Sequence, residues 1–417
     1  MFSKDIMTLG LGLEEPWKIV DQRLDTNKSP HELHIRISAD RGSRYPCPMC
    51  GEKCKAHDFR EFTWRHLNFF QHHCYLTADV PRIKCPEHGI RRVNAPWARE
   101  GSRFTLLFEQ VVMLLVREMP VASAARIIET TDKRLWRVVH HYVNKAMANL
   151  DLFDLTALGL DETSLRGHEY ITVFVDMDRT TRPVIFATPG KGKECVRAFK
   201  DHLEQHGGHA DNVLEVVCDM SPSFLSAAEK EFQRAQVTLD WFHVVKLFTQ
   251  ALEKVRRNEQ KQDGFPKSVR WAILKGQEKE KTARQQEALQ ELEASGFATA
   301  TAYRIKELLR WIRHSTTAQA ARWRITHFIR HAEKQVQDDP LLNPVRTALK
   351  TFKELAVKIA RRWVSNHTSA RLEGLNSLFQ SAKAKARGYR NEKTFITMIY
   401  LIGAPIDKLL KEAIAVQ

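Results

Sequence analysis

Two short turns, YPCPMCG and IKCPEHG, restrict this 417-residue chain more than any other feature. The first offers Cys47 and Cys50, the second Cys85 and His88, and a glycine directly follows each pair. A two-residue spacing lets both donors of a turn face one ion, and two such turns fill a tetrahedral coordination sphere. Three thiolates and one imidazole therefore predict a closed structural zinc site. The competing readings are ordinary buried cysteines, or a redox Cys-x-x-Cys pair. The redox pair needs a thioredoxin-like strand–helix context, which the flanking sequence lacks. Cys54, Cys74, His57, His66 and His72 crowd the same stretch as spare ligands. Seven cysteines in a chain of this length argue against a disulfide framework. Closed zinc sites commonly build small nucleic-acid-binding domains.

Composition narrows the partners. Hydrophobic residues make up 43% and aromatic residues 9%, as in folded globular proteins, and 417 residues exceed one ordinary core. Lys and Arg number 65 against 50 acids, a net +15 spread along the chain rather than gathered in a tail. Such an excess suits a phosphate-rich partner, because each neutralised phosphate releases counterions. No run of about 18 uncharged apolar residues exists, so no membrane partner is expected. The N-terminus MFSKDIMTLGLGLEEPW has acids close behind its short apolar stretch, unlike a signal peptide. An intracellular protein is expected.

The periodicity changes along the chain. Trp17 to Leu24 and Glu32 to Ser38 alternate apolar and polar residues around Asp25-Thr26-Asn27, which predicts a hairpin. From Phe104 to Met147 the period is helical, broken at Met119-Pro120 and at Thr130-Thr131-Asp132. LTALGLDE, YITVFVDMD and PVIFATPG then read as three adjacent strands, followed by alternating helix and strand through QVTLD. A mixed sheet flanked by helices is predicted. Residues 258–361 are almost wholly helical in pattern, and a last helical block leads to the C-terminus.

PVASAARIIETTDKRLWRVVHHYVNKA divides into Val121–Glu129, a turn, and Asp132–Lys145, with Asp132 as the expected N-cap. Ala122, Ala125 and Ile128 would face Leu135, Val138, Val139 and Tyr142. The length and break fit a helix-turn-helix whose second helix enters the DNA major groove, led by Lys133, Arg134 and Arg137. Any short helical hairpin gives the same pattern; the basic chain and the adjacent zinc module favour DNA.

Two apolar runs, LTALGLD and VLEVVCD, finish on Asp161 and Asp219, where strands are expected to leave the sheet. One such Asp is most simply a turn or a helix cap. A pair at equivalent positions of neighbouring strands would repel and raise each other's pKa unless cations lie between them. Magnesium takes such carboxylates together with substrate phosphate. Two such ions about 4 Å apart stabilise the attacking and leaving oxygens of a phosphodiester. Asp176 and Asp178 compete for the role, and Glu162 would face away from Asp161. A third ligand is sought in RLEGLNSLFQ, where Leu372, Leu375, Leu378 and Phe379 are the expected buried face and Glu373 and Asn376 share a flank. An acid in a first helical turn is the plainer explanation of Glu373. Basic segments on both sides, ARRW and AKAKARGYR, favour a nuclease channel.

These pieces together are specific: the Cys47–His88 turns, the helix pair, GLDETS, VVCDMSPSF, DWFHVVK, AYRIKELL, and RLEGLNS before KAKARGYRN. Over nearly its full length the chain resembles the ISL-three family of insertion-sequence transposases, similar in turn to the DDE recombinases. The resemblance implies a multidomain α+β fold with a ribonuclease-H-like α/β catalytic core interrupted by a helical insertion. It implies a DNA transposase that binds the terminal inverted repeats of its element and cuts and rejoins strands. Asp161, Asp219 and Glu373 would be its catalytic triad, binding magnesium or manganese. His243, in the family's Asp-x-Phe-His position, and Asn376 would stand behind them. The chain departs from the family pattern at His88, where cysteine is also common. It departs again at Gln380, where many DDE enzymes carry Lys or Arg, so phosphate contacts would fall to Lys383, Lys385 or Arg387.

The expected domains are a zinc module (1–98), a helix-turn-helix (99–150), the core's first part (151–257), the insertion (258–361) and the core's last part (362–417). Expected partners are double-stranded DNA, as transposon ends and target, and further copies of the chain assembled on it. A bacterial cytoplasmic, nucleoid-associated setting follows. Two rival readings are a domesticated DNA-binding regulator that has lost catalysis and a nuclease of the same fold without strand transfer.

Overall fold

The computed structural model describes residues 7–40, 42–261, 269–274, 281–337, 339–365, 367 and 370–408. Parts of the expected segments 258–361 and 362–417 thus lie outside the described residues. The chain divides into two compact units: Met1–Asn149 together with the residues from Ile406, and Leu150–Pro405. Among the described residues no helix is long and apolar enough to cross a membrane.

In the first unit the predicted hairpin is β1 (Trp17–Asp25) against β2 (Glu32–Ala39), antiparallel. β2 runs parallel to β5 (His72–Cys85), which pairs with the long β4 (Lys53–Phe69); β3 (Arg44–Pro46) adds to β4, and β6 (Gly89–Arg92) folds back on β5. Alternate residues of these strands bury one face, and the core centres on Trp97. Trp17 and Trp64 meet its ring edge-on at 5.1 and 5.6 Å. Aromatic pairs in this geometry add about 0.5–1.5 kcal/mol each beyond area burial.

Three helices complete the unit: α1 (Leu106–Glu118), α2 (Val121–Ile127) and α3 (Asp132–Ala148). Thr105 caps α1, its hydroxyl accepting from the Phe108 amide at 3.3 Å. Glu109 of α1 is fully buried yet satisfied, taking bonds from Arg99 Nε (2.9 Å), Ser102 Oγ (2.7 Å) and the Tyr142 hydroxyl of α3 (2.8 Å). That third bond holds α3 at a fixed angle to α1. Leu135, Val138, Val139 and Tyr142 are buried as expected. Two local expectations are corrected. The cap of α3 is Thr131, and Asp132 is its first helical residue. Ala122 is exposed, and α2 instead buries Val121, Ala124 and Ala125.

The second unit is built on a five-stranded sheet ordered β11-β10-β7-β8-β9. β7 (Ala157–Arg166), β8 (Glu169–Asp176) and β9 (Val184–Pro189) form an antiparallel meander, and β10 (Glu215–Cys218) and β11 (Gln236–Leu239) lie parallel to β7. Parallel neighbours need crossovers, and α4 (Lys193–Gln205) and α5 (Pro222–Glu231) supply them. Phe199 of α4 stacks on Phe174 of β8, centroids 4.6 Å apart. Gly159 is required where the sheet is tightest: a Cβ there would lie 2.5 Å from Met177 Sδ and 2.7 Å from Val175 Cγ2.

After β11 comes α6 (Trp241–Glu259), then the helices α7 (Val269–Leu274), α8 (Ala283–Ala294), α9 (Ala298–Arg313), α10 (Ala318–Gln335), α11 (Asn343–Glu354) and α12 (Ala356–Ala360). The buried Glu259 carboxylate accepts from Ala298 N (2.7 Å) and Thr299 N (2.8 Å), satisfying donors that the first turn of α9 would otherwise leave orphaned. Finally α13 (Ala370–Lys385) crosses β7, and α14 (Glu392–Gly403) packs on β9, where the Tyr400 hydroxyl accepts from the Ala187 amide at 2.9 Å. Leu372, Leu375 and Phe379 are buried as expected; Leu378, 55% exposed, is on the outer side of α13.

Candidate active site and metal centre

In the first unit, β3 delivers Cys47 and β5 ends on Cys85. Both glycines after the paired donors, Gly51 and Gly89, have positive φ (77° and 66°), which any side chain would resist. The donor atoms of Cys47, Cys50, Cys85 and His88 all lie within 4.8 Å of one another. Cys50 Sγ and Cys85 Sγ are 3.7 Å apart, and Cys85 Sγ is 3.6 Å from His88 Nδ1. Tetrahedral bonds of about 2.3 Å to sulfur require about 3.8 Å between ligand atoms, so the donor set fits zinc. Of the spare candidates, Cys54 lies close to the donor set, its thiol pushed up by burial and then by the charge of Cys85, while His66 and Cys74 are engaged elsewhere. His66 Nδ1 bonds the Thr105 hydroxyl at 2.9 Å, and Cys74 is buried, its thiol pushed up to about 12.

In the second unit, register assembles the acids. β10 pairs with β7 through Val217↔Gly159, and two further residues bring Asp219 level with Asp161. β10 pairs with β11 through Cys218↔Leu239, and one further residue brings Asp240 level with Asp219. A row of three Asp residues therefore crosses the sheet. Asp161 is within its strand rather than at its end, because β8 continues to pair along β7 (Asp161↔Val173). Burial pushes the Asp161 carboxyl up to about 6; the charges of Asp219 and Asp240 add to this, while the Glu162 amide and His243 oppose it. Charges that repel across this partly buried row are what a divalent ion relieves.

α13 lies against β7 through residues three and four apart, which share one helix face. Asn376 Nδ2 donates to Asp161 Oδ2 at 2.5 Å, Gln380 Nε2 to Thr163 Oγ1 at 2.8 Å, and Lys383 Nζ to the Ser164 carbonyl at 2.7 Å. Gln380, at the position where a cation is common, thus ties the helix to β7. Lys383 of α13 is half-buried against the same strand, while Lys385 and Arg387 are exposed. Glu373 lies one turn before Asn376 and is exposed. Partial burial and the charge of Asp240 raise its pKa, against Arg313 and Arg362. Among the described residues the acids do not close as tightly as the zinc donors: no second group of three has its donor atoms within 4.8 Å. The site is an open row in which the charge of Asp240 raises the pKa of both Asp161 and Glu373.

The competing acids are occupied locally. Asp176 pairs with Arg179 Nε at 2.7 Å, and Asp178 accepts from the Thr156 hydroxyl at 2.6 Å. Sequence reasoning missed Asp240. It is buried, caps α6 by accepting from Phe242 N at 2.7 Å, and lies 3.8 Å from His243 Nε2. A weaker signal was present: QVTLD also ends on an Asp, as VVCD does at Asp219. In the helix pair, Lys133, Arg134 and Arg137 are exposed on α3, as a DNA-reading helix requires.

Known proteins match this arrangement piece by piece. A transposase family model of the ISL3 type matches residues 158–399, more than half of the chain. The helix-turn-helix domain of transposase family ISL3 matches residues 93–143, and the zinc-finger of transposases IS204, IS1001, IS1096 and IS1165 matches residues 43–88. The transposase for insertion sequence element IS1001 of Bordetella parapertussis is 27% identical over 365 residues, covering 85% of this chain and 87% of that protein. The transposase for insertion sequence element IS1557 of Mycobacterium tuberculosis is 31% identical over 221 residues, covering 51% of this chain and 48% of that protein. With a zinc-finger model on the cysteine turns, a helix-turn-helix model on α1–α3 and a transposase model across the acid row, the chain belongs to the ISL3 family of insertion-sequence transposases.

Proposed function

We propose that Asp161, Asp219 and Glu373 form the catalytic triad of a DNA transposase that cuts the terminal inverted repeats of its element and joins them to target DNA. The observation that carries this is the register of β7 and β10, which brings two half-buried carboxylates level, the first of them held by α13. Divalent magnesium or manganese held by these acids supplies charge neutralisation for the attacking and leaving oxygens of the phosphodiester. The chain's own contribution is positional. Asn376 donates to one Asp161 oxygen and the Glu162 amide to the other at 2.8 Å, so both bonds orient the carboxylate. His243, close to Asp240, and the Asn376 amide hold the row in place. Glu373, exposed on α13, would be the third acid to hold the divalent ion.

The β11-β10-β7-β8-β9 order supports reading residues 151–257 and 362–417 as a ribonuclease-H-like core interrupted by a helical insertion at 258–361. Residues 1–98 form the zinc module, with Cys47, Cys50, Cys85 and His88 as ligands, and residues 99–150 the helix-turn-helix. Lys133, Arg134 and Arg137 contact the ends, while Lys383, Lys385 and Arg387 line the catalytic channel. Joining two ends requires more than one copy of the chain on DNA, in a bacterial cytoplasm beside the nucleoid. A strand-transfer assay with paired end fragments and a supercoiled target tests this reading. Joined products are expected; cleavage without joining would leave a nuclease instead.

A further inference from the structure

The helices α9 and α10 form an antiparallel hairpin whose outer face carries two exposed tryptophans, Trp311 (38%) and Trp323 (55%). Scattered surface tryptophans need no explanation, but these two touch, their rings 5.5 Å apart at 68°. His327 lies against Trp323 with centroids 3.9 Å apart, and its Nδ1 donates to the Trp323 carbonyl at 2.9 Å. Arg324 is fixed over the Trp311 ring, 5.2 Å from its centroid, by donating to the Trp311 carbonyl at 2.6 Å. Beside the rings opens a groove of about 520 Å³ lined by Leu308, Trp311, His327, Phe328 and His331. The result is a continuous aromatic ladder with a guanidinium at one end and an apolar trough alongside.

We propose that this Trp311–Trp323 face binds unpaired, single-stranded DNA, with bases stacked on the two indoles and phosphates held by Arg324 and its basic neighbours. Charge selects the occupant. α10 carries four Lys and Arg residues against one acid, and α9 carries the same balance. A second copy offering the same face would be repelled, whereas a polyanion is drawn in. Geometry selects single strands over duplex, because exposed rings can only stack on bases that are already out of a helix, and each stacked base contributes substantially. The face holds none of the acids proposed for cleavage, so it adds a binding site beyond the catalytic row.

The test is fluorescence anisotropy with a labelled oligonucleotide of about 20 nucleotides and its duplex, at about 150 mM salt. The full chain is used in the Asp219→Asn background without added magnesium, so binding is read apart from cleavage. Trp311→Ala and Trp323→Ala are each expected to bind the single strand about ten- to a hundredfold more weakly, with duplex affinity within about threefold. Trp323→Phe, which keeps an aromatic face, should stay near the parent. Arg324→Gln should lower affinity and flatten the salt dependence by about one unit of slope. Unchanged single-strand affinity in the Trp311→Ala/Trp323→Ala double variant would overturn the proposal. So would equal losses on single strand and duplex. A shift in oligomeric state on light scattering with DNA affinity unaltered would assign the face to a second copy instead.

Discussion

Asn376 of α13 donates its side-chain amide to the Asp161 carboxylate of β7 at 2.5 Å, joining residues 215 apart in the chain. The bond seats the helix that carries Glu373 and, with the Glu162 amide on the other oxygen at 2.8 Å, orients the Asp161 carboxylate. Truncation to Ala removes the donor and leaves a buried carboxylate less well supported. Asn376→Ala is expected to slow strand cleavage about tenfold and to cost about 1–3 kcal/mol of stability, while affinity for end DNA stays within about threefold. Cleavage rates, thermal melting and binding, measured together, check all three.

Asp240 combines two tasks, capping α6 and adding a third acid to the row. Asp240→Asn keeps an acceptor for the Phe242 amide and removes the charge, so it separates them. It should leave the melting temperature nearly unchanged while weakening the manganese dependence of cleavage about tenfold or more. Asp240→Ala should in addition lose about 1 kcal/mol of stability through the missing cap. If the Asn variant cleaves like the parent at every metal concentration, Asp240 is only a cap.

The zinc donors close the ends of β3 and β5 onto each other, so the metal acts through folding. One zinc per chain is expected by metal analysis. Cys85→Ser should lower zinc content below half and cost several kcal/mol in the first unit, abolishing end recognition. A metal-free preparation that keeps the parent melting curve would remove zinc from the account.

Two histidines are held neutral by burial. His66 is pushed down to about 4, chiefly by desolvation and then by Arg65, and His202 to about 4 by desolvation and then by His206. Unfolded histidine takes up its proton near pH 6.5, so between pH 6.5 and 4 the unfolded chain binds more protons than the folded one. Stability therefore rises with pH across that window and is lost as pH falls through it. After allowance for partial exposure, the two together contribute a slope of about 1–2 kcal/mol per pH unit. Denaturant melts at pH 5 and 7 check this, and His202→Gln should make the difference smaller.

What the sequence disclosed follows from how local each feature is. The knuckle turns were legible because two-residue spacing and a glycine at positive φ dictate their geometry without help from elsewhere. The buried face of α3 was legible for the same reason, from helical period alone. The strand end at Asp161 was misread because the length of β7 is set by its partner β8, not by its own apolar run. Leu378 was misread because the buried arc of α13 is narrower than its leucines suggest. Asp240 was not legible because QVTL mixes Gln236 and Thr238 with its two apolar residues and so lacks the unbroken apolar run VVC that precedes Asp219. The neighbours of Glu373 depend on the whole helical path from α6 to α13, which no local pattern encodes.

The most direct measurement is manganese- or magnesium-dependent nicking of labelled end DNA by the full chain and its Asp219→Asn variant, both first shown to bind that DNA equally. The account predicts a loss of at least about a thousandfold in the cleavage rate, because one acid of the β7–β10 pair has gone. Cleavage by the variant at the parent rate, at saturating metal, would contradict it.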